Sequence, residues 1–117
     1  MDIREEAVQK KRELQGFLTV ASKYELKDAH DLSVAYTPGV AEPCLRIKDN
    51  EAESFELTCR GNMVAVVSDG TRVLGLGDIG AAAAMPVMEG KSLLFKRFGN
   101  VDCVPLVIDT KDPEVLI

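Results

Sequence analysis

Few side chains in this sequence can carry acid–base, redox or metal chemistry, and their spacing limits which. His30 is the only histidine. With Asp28 and Asp31 close by, it reads as a surface residue rather than a catalyst or ligand. Cys44, Cys59 and Cys103 are odd in number, widely spaced and free of any C-x-x-C pair. Reduced, packing thiols are expected, with neither a disulfide framework nor a zinc site. Asp69, Asp78, Asp102 and Asp109 fall near the ends of expected strands or turns, and their spacing defines no metal cage. The segment Gly75-Leu76-Gly77-Asp78-Ile79-Gly80 matches G-x-G-x-x-G ahead of an Ala-rich helical stretch. A nucleotide site would need that motif inside a parallel βαβ unit, with phosphates at the helix N-terminus. Here the preceding strand reads as the second arm of a hairpin, and Asp78 puts negative charge where phosphates would sit. The glycines are therefore read as a structural turn, with a minimal dinucleotide-binding domain as the alternative.

The elements that must position these groups follow from the pattern. Residues 2–15 are rich in Glu, Lys, Arg and Gln, with Ile3, Ala7 and Leu14 among the apolar positions, and Gly16 is the expected stop. This terminal amphipathic helix needs a surface to dock on, either the body of the domain or a second subunit. Pro38-Gly39 forces a turn just after Tyr36-Thr37, so Tyr36 sits near a bend. Short helices are expected over Val40–Lys48 and Glu51–Leu57. Met63–Val67 reads as a strand buried on both faces, and Asp69-Gly70 as a tight turn leading to a second strand at 72–74. Gly80–Phe98 is long enough for a helix, which Pro86 and Gly90 are expected to divide in two. A further strand covers Val101–Ile108. Asp112-Pro113-Glu114 places a capping residue ahead of Pro and Glu, the start of a last helix. The expected class is α/β: a small sheet, with strands near 63–67, 72–74 and 102–108, flanked by helices.

Composition narrows the function. With 117 residues, 46% hydrophobic and 28% charged, the chain is that of one globular domain or part of one. A formal charge of −5 opposes binding to nucleic acid or anionic lipid, and the densest basic run, Lys10-Lys11-Arg12, is too short to offset it. The longest apolar stretch, Ile79–Met88, is too short to cross a bilayer, so a cytoplasmic protein with no membrane partner is expected.

Three ordered strings carry a resemblance over nearly the whole chain: AYTPGVAEPC from Ala35, VVSDGTRVLGLGDIG from Val66, and GKSLLFKRFGNVDCVPLVIDT from Gly90. Together they resemble the N-terminal domain of bacterial-type malic enzymes. The resemblance implies that residues 1–117 are the malate-binding, catalytic portion of an enzyme whose metal-binding carboxylates and NAD(P)-binding Rossmann domain lie beyond this chain. It also supports the structural reading of the glycine segment, with no cofactor-binding or metal-binding residue assigned here. Tyr36 is implied as general acid, Lys91 as general base, and Arg72 as the grip on a malate carboxylate. The implied cofactors are NAD or NADP and Mg²⁺ or Mn²⁺; the implied partners are malate and pyruvate, in a homodimer.

The chemistry is consistent with those residue types. Malate must lose its hydroxyl proton and a hydride, then carbon dioxide, and the resulting enolate must be protonated at carbon, which requires one base and one acid. A lysine base needs desolvation or neighbouring positive charge, because an unperturbed amine titrates near about 10.4. A tyrosine stays protonated until it donates, and an arginine fork matches the two oxygens of a carboxylate. The isolated chain is expected to be inactive. The rival reading is a non-catalytic dimerisation or effector-binding module.

Overall fold

The computed structural model describes residues 2–117. They form two compact units: Thr19–Asn62 is one, and the N-terminal segment through Leu18 joins Met63–Ile117 in the other.

The second of these begins with α1 (Ile3–Leu14). Asp2 accepts from the Arg4 N–H, Glu5 and Glu6 occupy the first turn, and Lys11 and Arg12 the last, a charge order that suits the helix dipole. The stop expected at Gly16 takes two residues. Gln15 (φ 55°) and Gly16 (φ 91°) are both left-handed, and their N–H groups return to Arg12 and Lys11. No residue of α1 is buried.

After the other unit, the chain runs β1 (Met63–Ser68), a connection through Gly80, α5 (Ala81–Gly99), β2 (Asp102–Val107) and the short α6 (Pro113–Leu116). β1 and β2 pair in parallel, from Met63 opposite Asp102 to Ser68 opposite Val107. The expected hairpin and its strand at 72–74 do not form. Asp69 Oδ1 accepts from the Thr71 N–H and hydroxyl, and the Val73 N–H bonds to Gly77 rather than to a neighbouring strand. A local Asx turn thus diverts the chain out of the sheet, and Leu74–Leu76 coils into a single 3₁₀ turn. The unit is a βαβ crossover instead.

α5 is one 19-residue helix running through Pro86 and Gly90, not two pieces. Ala81, Ala84, Met88 and Ser92 repeat at helical spacing and are buried, and α5 packs on both strands. That continuous face outweighs the single hydrogen bond Pro86 cannot donate in the second turn. Val73, at 2% exposure, and Cys103 complete the buried core. β1 is not buried on both faces: Met63, Val64 and Val67 stay 40%, 43% and 51% exposed. One helix covers one face of a two-stranded sheet and leaves the other open.

The Thr19–Asn62 unit holds α2 (Ala29–Ala35), α3 (Ala41–Asp49) and α4 (Ser54–Leu57), with 3₁₀ turns at Glu51–Glu53 and Cys59–Gly61. Asp28 caps α2 by accepting from the Asp31 N–H at 2.9 Å. Arg60 ties the end of the unit together: it lies 4.4 Å from the centre of the Phe55 ring and donates to the buried Ser54 hydroxyl at 2.9 Å. Among the described residues no helix is long and apolar enough to cross a membrane.

Candidate active site

Arg72 lies in the connection from β1 to α5, where its neighbours are fixed and it is not. Before it, the Asp69 carboxylate holds the Thr71 N–H at 3.0 Å and the Thr71 hydroxyl at 2.7 Å. Those two hydrogen bonds from Thr71 are the main reason its carboxyl lies below the usual aspartate range. After it, Val73 is buried and donates to the Gly77 carbonyl at 2.9 Å. The base of the loop closes where the Ile79 N–H meets the Gly70 carbonyl at 3.1 Å. Gly70 is required there twice over: its φ is +76°, and a Cβ would stand 2.0 Å from the Gly80 carbonyl oxygen. Arg72 itself is exposed.

Lys91 stands on the third turn of α5, about 15 Å of helical rise beyond Ala81. It is exposed beside buried Ser92. Glu89, two residues earlier, is engaged: its Oε2 accepts from the Phe17 N–H at 2.7 Å and its Oε1 lies 3.5 Å from Lys11 Nζ. Lys11 in turn caps the Phe17 ring at 4.0 Å. Glu89 therefore fastens the chain after α1 to α5, while Lys91 extends free of that clasp.

Tyr36 belongs to the Thr19–Asn62 unit and ends α2, where its N–H returns to the Leu32 carbonyl. The turn expected from Pro38-Gly39 is present. The Gly39 N–H bonds to Ser33 and the Val40 N–H to Tyr36 itself, at 2.8 and 2.7 Å. A Cβ on Gly39 would stand 2.6 Å from the Ser33 carbonyl oxygen, so the bend depends on that glycine. The Tyr36 ring is 66% exposed. Arg72 and Lys91 thus share one unit and Tyr36 is carried by the other. Neither Lys91 nor Arg72 enters any ion pair among the described residues.

The glycine segment stands in a different context from the one its sequence suggests. The strand before it is an arm of a parallel βαβ unit, not of a hairpin, so that argument against a nucleotide site does not hold. Gly77 (φ 72°) and Gly80 (φ 84°) are nonetheless needed for the turn, and Gly80 caps α5. The Asp78 carboxylate hydrogen-bonds and ion-pairs with Lys111. That contact draws Asp78 below its usual range and raises the Lys111 amine. No sequence rule would have found the pair, because 33 positions separate its members. Among the described residues no three His, Cys, Asp or Glu side chains gather as a set for a metal ion.

The family described as malic enzyme, N-terminal domain, matches residues 15–117. This chain belongs to the malic enzyme family. The bifunctional malic/malolactic enzyme of Bacillus subtilis is 51% identical over the whole chain, which spans 28% of that protein. The NAD-dependent malic enzyme of Geobacillus stearothermophilus is 55% identical over 87% of the chain and 21% of its own length. Among solved structures, a malic enzyme from Pyrococcus horikoshii superposes with a TM-score of 0.83 at 46% identity, covering 92% of this chain and 27% of that one. An NAD-dependent malic enzyme from Thermotoga maritima gives 0.90 at 42% identity, covering 94% and 29%. The chain therefore spans under a third of the malic enzymes it matches, and the fold around Arg72, Lys91 and Tyr36 is that of malic enzymes.

Proposed function

We propose that this chain supplies the malate-binding and proton-transfer groups of an NAD- or NADP-linked oxidoreductase that converts malate to pyruvate and carbon dioxide. What carries the reading is that the malic enzyme match takes in all three chemically capable residues, Tyr36, Arg72 and Lys91. The exposure of Tyr36 and Arg72, with Arg72 outside every ion pair among the described residues, supports it, since each is available to a ligand; Lys91 is exposed too, and acts as a base once a bound ligand removes it from water.

Arg72 grips one carboxylate of malate through two parallel N–H donors. Lys91 takes the C2 hydroxyl proton; NAD or NADP, when bound, would supply the hydride acceptor for C2, and the product of that oxidation is a 2-keto acid whose other carboxylate sits β to the ketone. The C3–C4 bond then breaks, carbon dioxide leaves, and its electron pair becomes the enolate of pyruvate. Tyr36 donates a proton to C3.

The 117-residue chain assayed with malate, Mn²⁺ and either nucleotide is expected to reduce none of it. Binding tests the reading directly: malate should shift the Arg72 side-chain N–H signal in the NMR spectrum, and Arg72→Ala should weaken malate binding about tenfold or more. A malate affinity unchanged by Arg72→Ala would remove that residue from the site.

One observation favours a second reading, pairing of two copies through the N-terminal helix. α1 buries nothing, and Ile3 and Leu14, on one helical face, are 78% and 65% exposed. Sedimentation with and without residues 1–16 decides it, since a dimer held by α1 dissociates when that segment is removed. Calorimetry with NAD does the same for a dinucleotide site at the glycine loop.

A further inference from the structure

The parallel strands bring three pieces of chain to one edge of the sheet. β1 releases Asp69 there, β2 releases Ile108, and α5 begins there at Ala81. The Ile108 N–H extends the ladder by donating to the Ser68 carbonyl at 2.9 Å, so the segment after β2 leaves alongside the connection that carries Arg72. That connection is closed at its base by Ile79 and Gly70 and across its neck by Val73 and Gly77. Its outer arm has little to hold it. Leu74 and Leu76 are 74% and 67% exposed, and Leu74 is a non-glycine residue at φ +51°, a conformation that L side chains resist. Besides its own internal backbone bonds, the arm is secured by the burial of Val73 and by the hydrogen bond that Lys111, beyond β2, donates to the Asp78 carboxylate.

We propose that Asp78 and Lys111 are positioning residues, a latch that ties the Gly70–Gly80 loop to the segment following β2 and so sets the direction of the Arg72 guanidinium. The proposal rests on the reading of Arg72 as a carboxylate grip. The line of contact is short. Lys111 holds Asp78; the adjoining Gly77 carbonyl accepts from Val73; Val73 adjoins Arg72. Lys111 also feels the carboxylates of Asp69 and Asp109, so its charge offsets three aspartates around the loop that must receive an anion.

Amide hydrogen exchange on the full chain tests the latch, using wild type, Lys111→Met, and the charge-reversed pair Asp78→Lys with Lys111→Asp. Exposed ion pairs are individually weak, so Lys111→Met is expected to speed exchange at Val73 and Ile79 about two- to fivefold. The amides of Ala84, Met85, Val87 and Met88 in α5 should be unaffected, and the reversed pair should restore most of the protection. Unchanged rates in Lys111→Met, an acceleration shared by α5, or a reversed pair as fast as Lys111→Met would each overturn the latch. A malate titration of wild type runs beside it. If exchange responds to Lys111→Met but the Arg72 N–H ignores malate, the carboxylate reading fails while the latch stands as the tether of this loop.

Discussion

Gly70 and Gly75 sit five positions apart in one loop and should respond to the same substitution differently. At Gly70 an added Cβ meets the Gly80 carbonyl and a left-handed φ. Gly70→Ala is therefore expected to cost at least about 2 kcal/mol, read as a lowered urea midpoint. At Gly75 a Cβ meets nothing within 4 Å, so Gly75→Ala should leave the midpoint close to wild type. The charge pair in the same loop has its own signature. Asp78 is held below the ordinary 3.8 and Lys111 above the ordinary 10.5, each chiefly by their mutual hydrogen bond. The Asp78 contribution to stability is thus present above pH 3.8 and lost as pH falls through its lowered pKa. The Lys111 contribution is present below pH 10.5 and lost as pH rises through its raised one. Carboxyl ¹³C titration should place the Asp78 midpoint below that of an ordinary aspartate, and Lys111→Met should move it upward; an unmoved midpoint would separate the two groups. Tyr36, Arg72 and Lys91 are singled out by the resemblance, since each stands in one of its three motif strings, and not by residue type. Neither could point to Lys111, whose partner is distant in sequence and near only once β1 and β2 pair in parallel.

At the scale of elements, the sequence is legible where local chemistry and packing agree. The cap expected at Asp112 begins a helix in the structure, accepting from the Glu114 N–H, and Asp2 and Asp28 cap α1 and α2 in the same way. Asp69-Gly70 misleads because the same dipeptide serves a hairpin or an Asx turn; the choice depends on whether the next segment finds a strand partner, and here β2 takes that place. Pro86 misleads in the other direction. It is exposed, lies in the second turn of α5, and loses one hydrogen bond while the buried face from Ala81 to Ser92 stays intact. Pro86→Ala restores a donor for the Ala82 carbonyl at a solvent-facing position. It should raise stability by about 1 to 3 kcal/mol, with unchanged helicity by circular dichroism. A loss of stability would mean that the proline ring contributes packing the helix needs.

Across the molecule, burial is uneven, and that unevenness predicts where the chain opens first. The buried apolar residues, Val73, Ala81, Ala84, Met88 and Cys103, all belong to the unit built on the βαβ crossover. The Thr19–Asn62 unit buries one side chain among its helices, Ser54, and leaves Leu32, Leu45, Phe55 and Leu57 between 43% and 54% exposed. Composition could not reveal this division, because apolar residues are spread through both units and only contacts between elements decide which become core. Local opening follows buried apolar contact, so amides of α5 and β2 should be the slowest to exchange and those of α2, α3 and α4 faster by at least about tenfold. Met88→Ala, which removes the largest side chain of the buried α5 face, should cost about 2 to 4 kcal/mol and erase most of the protection in α5 and β2. If it left Thr19–Asn62 exchange untouched, the two units would be separate cooperative blocks. Equal acceleration in both would show that the two units open as one cooperative block.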